Sequence, residues 1–155
     1  MTNKANMGKW AEKEAQTWLE AKSQQDSGFA WLRFPDAHAA MGRLSAQPCD
    51  YLVSVTAGLA NNRTIYLEVK ETAQASRLPK AKIGQHGMLR KFFWSNAHVL
   101  VLVYMSGPKH WVMLRADRHR DDLFYHDVCP ASFPLADLRP YATAAAALEE
   151  YLLCL

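Results

Sequence analysis

The sequence predicts one α/β domain, a mixed β-sheet with helices packed on it, and three observations predict it. Residues 98–105 (HVLVLVYM) form a near-continuous apolar run, the pattern of a strand covered on both faces. Residues 64–70 alternate, with Ile65, Leu67 and Val69 directed one way and Tyr66, Glu68 and Lys70 the other. Apolar residues recur at helical spacing at both ends of the chain: Met7, Trp10, Ala11, Ala15, Trp18 and Leu19 first, Leu148, Tyr151, Leu152 and Leu155 last.

The remaining elements follow in order. Asn6 is the expected N-cap of the first helix. A short aromatic strand is expected over 29–34. Residues 50–55 and 64–70 flank the turn-rich TAGLANNR and read as two arms of a hairpin. A helix is expected over about 80–94, with Gln85, Met88, Leu89 and Phe92 on one face. Gly84 and Gly87 each cost such a helix about 1 kcal/mol relative to Ala; a late helix start or a close backbone approach to a ligand would accommodate them. After the 98–105 strand, Ser106-Gly107-Pro108 turns the chain into another over 109–115. The expected order is α-β-β-β-α-β-β-α.

Composition narrows the classes. The chain has 155 residues, half of them hydrophobic and 11% aromatic, enough for a core without disulfide or metal staples. No apolar run approaches the roughly 20 residues of a spanning helix, and MTNKANMGKW lacks a signal peptide's apolar stretch. Cys49, Cys129 and Cys154 are odd in number and widely spaced, as in a reducing compartment. A cytoplasmic protein without membrane contact is therefore expected. Neither a P-loop nor a dinucleotide fingerprint is present, so no nucleotide cofactor is expected. His126 and Cys129 lie three apart without a second pair, poor grounds for zinc. The net charge is only +3, but between Glu68 and Lys91 six basic residues (Lys70, Arg77, Lys80, Lys82, Arg90, Lys91) stand against Glu68 and Glu71, a local excess of four. Such clustering suits a face that tracks phosphates, and a solvated helix face gives the same count.

The chemistry sits in Pro48-Cys49-Asp50 and Glu68-Val69-Lys70. If the hairpin turn centres near Leu59, residues whose numbers sum to about 118 face each other, and Asp50 and Glu68 do so. Directly opposed residues have β-carbons roughly 4.5–5.5 Å apart. Two carboxylates that close repel unless one is protonated or a cation lies between them. An all-oxygen pair with room for water suits Mg²⁺ or Mn²⁺. Lys70 projects from the same face as Glu68 and could orient or deprotonate a water, or stabilise charge on a phosphate. A surface ion-pair ladder would use the same residues. Helical geometry does not by itself choose between Glu12 and Glu14 as a third carboxylate. Lys82 and His86 are further possible phosphate contacts, as are Arg77, Lys80 and Arg90; a solvated helix end would also place them.

These pieces resemble the PD-(D/E)xK nuclease superfamily, and within it the Holliday-junction resolvases of the RecU type. Gly8-Lys9-Trp10-Ala11-Glu12 is similar to the family's N-terminal glycine and helical glutamate. Pro48-Cys49-Asp50-Tyr51 resembles its P-x-D-Y segment, and 67–72 (LEVKET) its E-x-K-E-T strand. Residues 78–83 (LPKAKI), with Gln85-His86 after them, resemble the stretch leading into its second helix. Here Gln85 precedes His86, where the family has His before Gln. No extended basic stalk is evident, Arg63 being the one basic residue in TAGLANNRT.

The resemblance implies a restriction-endonuclease-like core over about 6–115, inside a single nuclease domain spanning 1–155 with a C-terminal helical extension over about 135–155. It implies hydrolysis of DNA phosphodiester bonds with Mg²⁺ or Mn²⁺, most directly at a Holliday junction, by a homodimer making two symmetric cuts. An exonuclease or restriction-type enzyme, or a non-catalytic DNA-binding module, are the alternatives. Asp50, Glu68, the Val69 carbonyl and Glu12 would hold the metal, Lys70 would assist the water, and Gln85 would position phosphate or water.

Overall fold

The computed structural model describes residues 4–35, 47–57, 61–125 and 131–155. The hairpin tip (58–60), His126, Cys129 and the side chain of Met7 lie outside the described residues.

The elements run α1 (Lys4–Gln25), β1 (Phe29–Arg33), β2 (Tyr51–Ala57), β3 (Asn61–Thr72), β4 (Arg77–Pro79), a 3₁₀ turn (Lys80–Lys82), α2 (His86–Trp94), β5 (His98–Met105), β6 (His110–Ala116), β7 (Ser132–Pro134) and α3 (Ala144–Leu153). The main sheet has the order β1-β2-β3-β5-β6, with β3 and β5 parallel and the other pairs antiparallel. The crossover between the parallel strands carries α2, as such a connection requires. This is the α/β class expected, a mixed sheet flanked by helices.

The side-chain alternation of the strands builds two cores. Val53, Ile65, Leu67, Leu100 and Leu102 face α1, whose Ala11, Ala15 and Leu19 are fully buried, and α3, which adds Ala144, Ala147, Leu148 and Tyr151. On the other face Val99, Val101, Val103, Val112 and Leu114 pack against Leu89 of α2 and Ile83. Strand β5 feeds both clusters, so its unbroken hydrophobicity has the expected cause. Burying one such side chain is worth about 1.5–3 kcal/mol. The α3 stripe is consumed in this packing, and Thr143 Oγ1 caps the helix by accepting from Ala146 N–H at 3.1 Å.

Three local expectations are corrected. Helix α1 begins at Lys4, two residues upstream of the expected cap Asn6, because Lys4 and Ala5 favour helix themselves. The single helix expected over 80–94 is divided: Ile83 leaves helical geometry (φ −97°, ψ 79°) and α2 starts at His86. Gly84 thus lies before the helix, and the late start accounts for it. Within the expected extension over 135–155 only Ala144–Leu153 is helical. The small antiparallel pair of β4 and β7 carries no legible signal, each strand being three residues long.

Candidate active site

Asp50 sits one residue before β2. Its carbonyl accepts from Phe34 N–H at 2.9 Å, extending the β1–β2 ladder by a rung. Tyr51 pairs with Leu67, so one step further Asp50 stands opposite Glu68, in the register read from the sequence. Two hydrogen bonds lock the pair: Asp50 N–H donates to Glu68 Oε2 at 3.1 Å, and Val69 N–H donates to Asp50 Oδ2 at 2.7 Å. Lys70 Nζ lies 2.5 Å from Glu68 Oε1 and 3.8 Å from Asp50 Oδ2. In an extended strand a residue's C=O points to the same side as its N–H, so the Val69 carbonyl is directed toward the Asp50 edge.

The electrostatics are unbalanced: two carboxylates share one ammonium. Glu68 is only 6% exposed, and burial, then repulsion from Asp50, push its carboxyl up to about 7 against the pull of Lys70. For Lys70, burial opposes the charge, but Glu68 and Asp50 outweigh it and raise the ammonium above its usual range. Lys70 is therefore a firm cation here, suited to hold a water or a phosphate oxygen rather than to remove a proton. Cys49 is buried beside the pair, its thiol donating to the Tyr51 carbonyl at 3.0 Å and pushed up by burial, Glu68 and Asp50, which leaves it inert.

These residues line a cleft of about 460 Å³, together with Glu12, Arg33, Lys82 and Gln85. Of the two helical carboxylates, Glu12 lines it and Glu14 is solvent-exposed elsewhere. Helix α1 is tied down there by Tyr51, whose hydroxyl donates to the Glu12 carbonyl at 3.2 Å. Arg33, which no motif flagged, pairs with Glu12 at 2.9 Å. A second hollow of about 810 Å³ continues from the cleft through Glu12 and Arg33 along the α1 face bearing Lys9, Lys13 and Gln16. That spacing of i, i+4 and i+7 was a legible signal for a polar helix face next to Glu12.

The basic residues singled out in the sequence divide. Lys82 lines the cleft and donates to the Glu71 carbonyl at 2.8 Å. Gln85 lines it too, at the start of α2. Lys80 lies outside it, beside Ile83 and Ala131. Arg77 bonds Ser132 across the small sheet at 2.6 Å, and the Arg90 guanidinium lies 4.4 Å from the Trp94 ring centroid. His86 as a phosphate contact is corrected: it is buried, its Nε2 is 3.1 Å from the Leu123 carbonyl, and its ring packs against Phe124 and Phe133.

Among the described residues no cluster of three or more His, Cys, Asp and Glu side chains suited to a metal is formed. The donor set nevertheless fits a hard divalent ion: two juxtaposed carboxylates, one carbonyl and room for several waters.

No protein-family model matches the chain, and no curated protein does. Among solved structures the chain is similar to the Holliday junction resolvase Hjc of Archaeoglobus fulgidus, an archaeal hyperthermophile, with a TM-score of 0.46 and 17% identity over 81% of this chain and 88% of that one. The functional reading accordingly rests on the residues of the cleft.

Proposed function

We propose that this chain is a metal-dependent DNA endonuclease that hydrolyses phosphodiester bonds, with branched DNA, specifically a four-way junction, as its substrate. The carrying observation is Glu68, buried within one hydrogen bond of Asp50 with Lys70 as their one shared ammonium. Pure DNA binding has no use for two juxtaposed carboxylates facing phosphate, whereas Mg²⁺ or Mn²⁺ held there would polarise the scissile phosphate and acidify a bound water. Asp50, Glu68 and the Val69 carbonyl are the ligands in this reading, with Glu12 reaching the ion directly or through water. Lys70 donates to the attacking water or to a phosphate oxygen. Gln85, at the cleft wall, positions the phosphate, and Lys82, Lys9 and Lys13 hold the flanking backbone. The four motif segments in RecU order support the junction as substrate, and a two-fold dimer would supply the two active sites that symmetric cutting needs.

The test is cleavage of a labelled four-way junction, matched duplex and single strand with Mg²⁺, Mn²⁺ or EDTA, alongside Asp50→Asn. Paired symmetric cuts confined to the junction, absent with EDTA and in the variant, are expected. Cutting of every substrate would keep the nuclease and remove the junction preference. Wild-type rates in Asp50→Asn with Mg²⁺ would overturn the metal site. No cutting under any ion, with binding indifferent to EDTA, would make the protein a binding module.

A further inference from the structure

We propose that the hollow around Arg63, at the far end of β3 from the catalytic carboxylates, is a second phosphate-binding subsite that holds the DNA backbone away from the cut; the proposal rests on the nuclease reading above. The hollow measures about 270 Å³ and is lined by Asn62, Arg63, Thr64, Ser95 and Asn96 beside Tyr66, whose ring stacks on Phe92 at 4.2 Å. No carboxylate lines it among the described residues.

Arg63 is the anomaly that points to a ligand. Its Nε is buried without a hydrogen-bond partner. Arg90 Nε is buried without a hydrogen-bond partner as well, but its guanidinium lies over the Trp94 ring; the other described arginines are engaged, Arg33 with Glu12, Arg77 with Ser132, Arg115 with Asp117, Arg118 with the Leu155 carbonyl, Arg120 with Asp122 and Arg139 with Glu150. A buried guanidinium N–H left unmade is costly, and an anion would recover that loss. Neutral donors line the same hollow. Asn62 Oδ1 accepts from Thr56 at 3.3 Å, leaving its NH₂ to donate, and Thr64 presents an exposed hydroxyl. The carbonyls that end α2 are already answered, Phe92 by the N–H groups of Ser95 and Ala97 and Phe93 by Asn96, so the helix terminus opposes an anion little.

The placement fits one ligand running past both sites. Thr64 and Glu68 are four residues apart on β3, about 13 Å. Helix α2 gives a similar span: ten residue steps, about 15 Å, from Gln85 in the catalytic cleft to Ser95 in the hollow. The ligand is therefore a backbone phosphate a few nucleotides at most from the scissile one.

The experiment measures binding of the labelled junction and a matched duplex by anisotropy in EDTA, for wild type, Arg63→Ala, Arg63→Gln and Arg63→Lys, between about 50 and 200 mM salt. Arg63→Ala should weaken binding roughly tenfold and lower the slope of log K against log salt by about 0.9. Arg63→Gln should do the same, which covers a fold defect specific to Ala, and Arg63→Lys should keep the slope. A single neutral methylphosphonate, walked one position at a time over the nucleotides flanking the cut, should at one position cost wild type the same factor and Arg63→Ala nothing more. If wild type binds and cuts while Arg63→Ala and Arg63→Gln match its affinity and slope, the subsite is overturned and the nuclease stands. Inorganic phosphate titrated by NMR is the second arm: perturbation at Arg63 with DNA affinity unchanged by the substitutions would make the hollow a free-phosphate site and overturn the proposal. If wild type neither binds nor cuts any DNA, the nuclease reading falls first and takes the subsite with it.

Discussion

At the end of β6, Asp117 is 5% exposed and faces one guanidinium: Arg115 reaches it through Nε at 2.9 Å and Nη2 at 2.8 Å, and the N–H groups of His119 and Arg120 fill its remaining oxygen. On β3, Glu68 is equally buried but shares its one ammonium with Asp50. The first cluster is balanced, one charge for one charge, with its lone pairs used. The second places two carboxylates against one ammonium, at the wall of an open cleft. In the function proposed above, that surplus is what a bound divalent cation would answer.

Four experiments sharpen or break this contrast. The largest effect falls on cleavage, where Lys70→Ala or Asp50→Asn should lower the rate by about a thousand-fold or more, with Asp50→Asn still binding DNA since it removes negative charge near phosphate. Next comes stability. Asp117→Ala removes the carboxylate that answers the half-buried Arg115, leaving it the Tyr151 ring, and should cost about 3 kcal/mol, a fall of several °C in Tm by thermal denaturation. A loss as small as that of a surface pair would show that this cluster is not balanced by burial as described.

The surplus charge predicts the opposite sign at Glu68. Because its folded carboxyl sits near 7, above the unfolded value of 4.5, the folded state holds the proton more tightly, and ion-free protein should lose stability as pH rises through that window. Mg²⁺ at about ten times its dissociation constant should restore about 1.4 kcal/mol in wild type and nothing in Glu68→Gln. Without metal, Glu68→Gln should be about 1–2 kcal/mol more stable than wild type at pH 8 and no different at pH 4.5. Destabilisation at pH 8 would mean that Lys70 already compensates both carboxylates. The smallest effect is Glu14→Gln, which should leave cleavage unchanged where Glu12→Gln lowers it.

The Asp50–Glu68 juxtaposition was readable in advance because it depends on one local quantity, the hairpin register, and alternation over 64–70 permits only one face for Glu68. The doubly covered β5 was readable for the same kind of reason. The pairing of Arg33 with Glu12 was not, since it joins a helix to a strand 21 residues away without any shared periodicity. The role of His86 also depends on distant chain, the Leu123 carbonyl and the rings of Phe124 and Phe133. Gln85, next to it, lies at the cleft, so adjacent positions in one short motif serve different ends. The division of the 80–94 helix was partly announced by its two glycines, but where it breaks is set by Ile83 turning into the core.

The doubly covered strand has a consequence for how the molecule opens. Strand β5 pairs on both sides, with β3 and β6, and its side chains are buried above and below. Strand β1 pairs on one side only, with β2. In deuterated buffer the β5 amides should exchange only when the whole chain unfolds, and the free-edge amides of β1 far sooner. Asp50 lies between these regimes, bonded to Phe34 on the loose side and to Val69 on the tight one. Local opening of the β1 edge therefore breaks one of its hydrogen bonds while the other holds the carboxylate against the strand that never yields first.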